Sequence, residues 1–167
     1  MKPKTPVLSA LAALLIVAGM ATPAQAHDDA VRVLHATSHT QCPWRLEGPD
    51  ARVFSSPRHW QEMMTLPEDR ATGYPVDWHR DNVVVYATET QRTLGVRVKL
   101  DQQVLQLSGR EARLQVRVVP PRPDQMQAAA ISRPCVVAVV PRRSWRTLEV
   151  RDPQGEVLWR GKVHSKH

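Results

Sequence analysis

The 167-residue sequence holds only two cysteines, Cys42 and Cys135, and neither belongs to a Cys-x-x-Cys pair. A redox couple or a paired-cysteine zinc site is thus left without its usual ligands. No Gly-x-Ser-x-Gly elbow, His-Glu-x-x-His run or His-x-x-Glu-His run occurs, and glycine-rich phosphate loops are missing. The common carriers of nucleophilic, zinc-hydrolytic and nucleotide chemistry are therefore absent, and the expectation is a non-enzymatic chain with no cofactor. His59 and His79 read as boundary histidines rather than bases, and Asp77 as a turn cap. No internal repeat, low-complexity tract or second domain interrupts the pattern.

Acidic residues are also in the minority, 16 against 23 Lys and Arg, for a formal net charge of +7. Of those 23 cations, 18 are arginine. A positive surface favours acidic partners. Residues 1–26 have the form of a secretory signal, with Lys2 and Lys4 before an apolar segment from Val7 to Ala21. Ala24 and Ala26 then supply the small residues a signal peptidase reads. The segment is short for a bilayer span, and no cysteine follows it closely for lipid attachment. The expectation is a periplasmic or secreted protein, starting at His27, with no membrane anchor. Removing the two lysines lowers the net charge from +7 to +5. Export argues against nucleic acid as the partner and for anionic envelope material or an acidic protein. A merely solvated basic surface is the alternative. In an oxidising compartment Cys42 and Cys135 are expected to pair, two unpaired thiols being the other reading. The bridge would staple the N-terminal segment onto the core.

What is present reads mainly as β-structure, a single antiparallel, sandwich-like sheet domain with one short helix near 57–66. Four segments are distinguished: the signal at 1–26, an N-terminal segment at 27–50, a β-rich domain at 51–152, and a C-terminal hairpin strand and tail at 153–167. Short strands are expected at "VRVLHA" and "ARVFSS". Ser56 before Pro57 gives an N-cap and first-turn proline to "PRHWQEMMTL". Trp60, Met63 and Met64 then lie on one face of that helix. Pro67 ends it, and "PEDRATGYPVD" reads as loop. Residues 82–88, with the crowded apolar run Val83–Tyr86, read as a central strand covered on both faces. Residues 93–100 alternate, as do 112–119 with Ala112, Leu114, Val116 and Val118 inward. Val104, Leu105 and Leu107 suggest a further short strand before the turn "SGRE". "VVPPRPDQ" must be a loop, and the alanines of "QMQAAAIS" permit a short helical turn. "PCVVAVVP" is another buried strand, and "WRTLEVRDPQGEVLWRGKV" a hairpin turned at Asp152–Gly155.

The order of "SSPRHWQEMM", "VDWHRDNVVVYATETQRTLGVRVKL" and "LQVRVVPPRPDQMQAAAISRPCVVAVVPR" resembles the C-terminal domain of the protease complex subunit PrcB family. The resemblance spans about residues 51–150. It rests on Trp60, on Val76-Asp77-Trp78, on Thr93-Leu94-Gly95-Val96 and on Ser132-Arg133-Pro134-Cys135. Leu94, Val96 and Cys135 stand where the family has glycine, an aromatic and tyrosine. The resemblance implies an exported β-rich domain that binds a protein partner, a secreted protease that it assists, stabilises or inhibits.

The candidate contacts are the turn Gln91, Arg92, Thr93, Leu94 and Gly95, with Gly95 expected to supply a bend or a positive φ. The outward cations Arg97, Lys99, Arg113 and Arg117 complete the set. If their two strands are neighbours, like charges face one another, which is unfavourable. Either carboxylates are interleaved there or the face meets something negative. No metal site is expected. The alternative is copper held by the amine and ring of an N-terminal His27, with His35 and His39 nearby.

Overall fold

The computed structural model describes residues 29–44, 49–122, 124 and 128–163. The apolar run forms β4 (Asp81–Ala87), and all seven of its residues are buried. Odd and even positions of a strand point to opposite faces, so such a strand must lie between two apolar layers. Val84 and Tyr86 face one core, together with Val136, Ala138 and Val140 of β7 (Cys135–Pro141). Val83, Val85 and Ala87 face a second, with Val137 and Val139.

β4 and β7 are the middle of a four-stranded antiparallel sheet in the order β2–β7–β4–β3, with β2 at His35–His39 and β3 at Asp50–Phe54. Opposite lies a five-stranded sheet in the order β1–β5–β6–β8–β9. Its strands are β1 (Asp29–Arg32), β5 (Arg97–Ser108), β6 (Glu111–Val119), β8 (Thr147–Arg151) and β9 (Val157–Lys162). Leu105, Leu114, Leu148 and Val150 fill the space between the sheets. Pairing is antiparallel throughout except between β6 and β8, which run parallel.

The outer face of the four-stranded sheet is closed by two short helices. α1 (Pro57–Met63) is capped by Ser56, whose Oγ accepts from the His59 amide at 3.4 Å, and it stops at Met63. Its Trp60 is fully buried against Phe54 and Met64, and its Nε1 donates to the Leu66 carbonyl at 2.9 Å. Burying a side chain of that size contributes about 3 kcal/mol. The stretch expected to be loop after Pro67 holds a five-residue helix, α2 (Glu68–Thr72). Its C-cap Gly73 takes the left-handed φ of 66° that favours glycine. Cys42 and Cys135 are bonded, with Cα atoms 5.3 Å apart. Closing a loop of 93 positions restricts the unfolded chain by about 4–5 kcal/mol in the chain-entropy account. The bridge anchors the segment after β2 to the first residue of β7.

Three further expectations are corrected. The strands expected at 93–100 and 104–107 are one strand, β5, which starts at Arg97 and carries a register shift between Leu100 and Leu105. Five steps along β5 there match two along β6, so the inward phase passes from Val98 to Leu105 across the irregularity. Val118 keeps the alternation of the buried Ala112, Leu114 and Val116 but is 45% exposed, next to the last residue of β6. No helical turn forms over the described residues Ala128–Ile131. Among the described residues, no helix is long and apolar enough to cross a membrane.

Candidate partner-binding groove

The turn from Gln91 to Gly95 is held from below. Gln91 and Ser132 exchange backbone hydrogen bonds of 2.7 and 2.9 Å. The fully buried Ser132 donates its hydroxyl to the Thr93 carbonyl at 2.6 Å, and Thr93 Oγ1 accepts from the Gly95 amide at 3.4 Å. Gly95 supplies the turn without a positive φ. Among the described residues the glycines with positive φ are Gly73, Gly109 and Gly155, and the Gly95 amide is instead held by the Thr93 hydroxyl. The pinned backbone leaves Leu94 43% exposed at the tip and Arg92 exposed beside it.

From this turn the chain enters β5, which sets Val98 into the core and Arg97 and Lys99 outward. Arg97 lies opposite Val119 and Lys99 opposite Arg117. Beyond Val119, Pro120 and Pro121 end the ladder because proline has no amide proton to donate. Together these segments wall a groove of about 540 Å³, lined by Leu94, Gly95, Arg97, Lys99, Arg122 and the Val119–Pro121 stretch, with Thr40 at its side. Behind it, Ser38 Oγ donates to the Val98 carbonyl at 2.6 Å and ties the two sheets together. Among the described residues, no carboxylate lines the groove, and Arg92, Arg97, Lys99 and Arg122 make no ion pair.

Arg113 and Arg117, expected on the same surface, are engaged elsewhere. Arg117 pairs with Asp101, the residue at the β5 irregularity. Arg113 donates to Glu111 at 2.9 Å and lies 3.7 Å from Glu149. Glu149 is 1% exposed although it sits on the outward side of β8. Arg151 and Arg160 close over it, the latter at 3.5 Å, and Arg160 also donates to Glu111 at 2.5 Å. Burial opposes ionisation of the Glu111 carboxyl, but hydrogen bonds and charge from Arg113 and Arg160 outweigh it and hold its pKa below the ordinary value. Carboxylates are thus interleaved among these arginines, as one of the two sequence readings required.

Arg122 and the Val119–Pro121 wall were missed in the sequence, although a cation inside "VVPPRPD" just past an alternating strand was the available signal. Asp77 caps a turn, accepting from the His79 amide at 3.0 Å. His59 packs on Phe54 with ring centroids 5.1 Å apart. His35 stacks on Tyr74, and His39 Nε2 lies 2.6 Å from the Ala71 carbonyl. Among the described residues, no three His, Cys, Asp or Glu side chains converge as a metal-ligand set. His27 lies outside the described residues. The chain matches no family model, no curated protein and no solved structure.

Proposed function

We propose that this chain is an exported, non-enzymatic binding domain whose groove takes an acidic segment of a protein partner. The observation that carries the reading is the contrast in charge pairing. Arg97, Lys99 and Arg122 line one cavity with no carboxylate among its described lining residues, while Arg113 and Arg117 are neutralised within the fold. Unpaired cations with an exposed leucine at the rim suit a peptide that alternates acidic and apolar side chains. The two prolines and the pinned turn keep the walls in place, which lowers the ordering cost of binding. The likeness to the PrcB family supports a secreted protease as the partner, one that the domain assists, stabilises or inhibits. The disulfide fits an oxidising compartment.

Co-purification from envelope extracts at graded salt tests the reading, with a chain carrying Arg97→Gln, Lys99→Gln and Arg122→Gln run in parallel. The expected partner is acidic at the docking segment, is released as salt rises, and is absent from the triple-variant eluate. A partner retained equally by both chains would place recognition elsewhere.

A further inference from the structure

Two walls of the groove come from loops that are joined beneath it. Thr40, at the side, lies between the end of β2 and Cys42, and Leu94 and Gly95, at the tip, lie in the turn after β4. Residues 132–135, leading into β7, run between the two.

On one side this segment holds the turn. Ser132 exchanges backbone bonds with Gln91 and donates its hydroxyl to the Thr93 carbonyl, and the Pro134 carbonyl accepts from the Thr88 amide at 3.1 Å. On the other side it holds the loop that bears Thr40. The Cys42 amide donates to the Arg133 carbonyl at 2.7 Å, and the Arg133 amide donates to Gln41 Oε1 at 3.1 Å. His39 lies opposite Cys135 at the end of the β2–β7 ladder, and Cys42 is bonded to the same Cys135. Both ends of the loop are thereby fixed on one residue. Beyond Cys42 the chain has a separate hold: the Pro43 carbonyl accepts from the Thr65 amide at 3.0 Å, and Trp44 is buried edge-on to Phe54. Loosening the junction therefore frees the loop and the segment beside it, and leaves the core behind them in place.

We propose that the junction of residues 40–42 with 132–135, closed by the Cys42–Cys135 bridge, positions the walls of the groove, a role that rests on the reading of the groove as the dock for an acidic segment. The bridge fixes the loop at Thr40, and through Ser132 the same segment fixes the turn that carries Leu94 and Gly95. A site formed before its partner arrives loses less free energy to ordering. A site formed for part of the time binds with its affinity reduced by that fraction. The bridge carries no charge, so it acts on affinity and leaves the salt dependence to Arg97, Lys99 and Arg122.

Amide hydrogen exchange of the full chain, with fluorescence anisotropy of a labelled peptide alternating glutamate and leucine, tests the proposal. In Cys42→Ala with Cys135→Ala, the Gln91 and Ser132 amides are expected to exchange about tenfold faster or more. Peptide affinity is expected to fall about fivefold, as for walls in place about one fifth of the time, with the slope against salt unchanged. Gln41→Ala, chosen in case the double variant does not fold, keeps the bridge and is expected to shift both readouts the same way by about twofold, the low end for one hydrogen bond. Glu149→Ala, in the other sheet, is expected to leave both unchanged, which separates positioning from general stability. Unchanged exchange in the folded double variant, or in Gln41→Ala where the double variant is unfolded, overturns the positioning role. Equal quickening by Glu149→Ala overturns it as well, and so does faster exchange with undiminished affinity. If the unaltered chain binds no peptide, the groove reading fails, and the exchange comparison still decides whether the junction holds the turn.

Discussion

Two arginine-bearing patches on the five-stranded sheet have the same sequence pattern and opposite electrostatics. Around Glu149, the cations Arg113, Arg151 and Arg160 converge on two carboxylates, one of them buried. Around the groove, Arg97, Lys99 and Arg122 meet no carboxylate among the described residues. Strand alternation places all the strand-borne cations outward. Carboxylates within reach decide which of them is neutralised: Arg113 meets Glu111 on β6 itself and Glu149 on β8, while beyond Gln115, where pairing with β8 stops, Arg117 meets Asp101 of β5. Charge that the fold consumes contributes stability, and charge it leaves over is available for recognition.

The largest expected effect falls on the paired patch. Glu149→Ala leaves Arg151 without a carboxylate and Arg113 and Arg160 with Glu111 alone, over a sheet position that excludes water, and urea unfolding should register a loss of about 3 kcal/mol. That is the low end for a broken buried pair, because the arginines are partly exposed and can turn outward. A loss within about 0.5 kcal/mol would mean the patch is as idle for stability as the groove.

The acid limb of the stability profile comes next. The Glu111 pKa is lower folded than its ordinary 4.5, so its contribution is fully present above that value and is lost as pH falls through the depressed one. Glu111→Gln should flatten this part of the acid unfolding curve, followed by circular dichroism between neutral and strongly acidic pH. An unchanged curve would remove the linkage.

Asp101→Asn is smaller in stability and sharper in meaning. The Arg117–Asp101 pair is solvent-exposed on the arginine side, so its loss should cost about 0.5 kcal/mol or less. The same change frees Arg117 directly opposite Lys99. It thereby moves one cation from the paired class to the unpaired one, and binding of an acidic peptide should tighten about twofold. Weaker binding by Asp101→Asn would contradict the division. The smallest stability effect is expected for Arg97→Gln with Lys99→Gln, within about 0.5 kcal/mol by urea unfolding.

Much of the fold was legible because periodicity reports burial directly. The unbroken run at 83–86 needed two covering layers and has them, and Ser56-Pro57 marked the start of α1. The division of β5 into two strands arose from the same signal: Val96 and Val98 keep one phase and Leu105 and Leu107 the other. Only pairing with β6 shows a single strand crossing an irregularity. α2 was hidden because five residues between Pro67 and Gly73 carry too few turns to display a period. Of the candidate contacts, Leu94, Gly95, Arg97 and Lys99 line the groove, and Gln91 and Thr93 support its turn through Ser132. Arg113 and Arg117 separate from them because Glu149 and Asp101 reach them only through pairing across strands, which linear spacing does not encode.

The central claim is that the unpaired cations of the groove recognise an acidic segment. It is tested most directly by the fluorescence anisotropy of a labelled peptide alternating glutamate and leucine, titrated with the chain across a range of salt. The expected result is saturable binding that weakens steeply with ionic strength, and a loss of about tenfold or more in the Arg97→Gln, Lys99→Gln, Arg122→Gln variant. Equal affinity and equal salt dependence for the two proteins would contradict it.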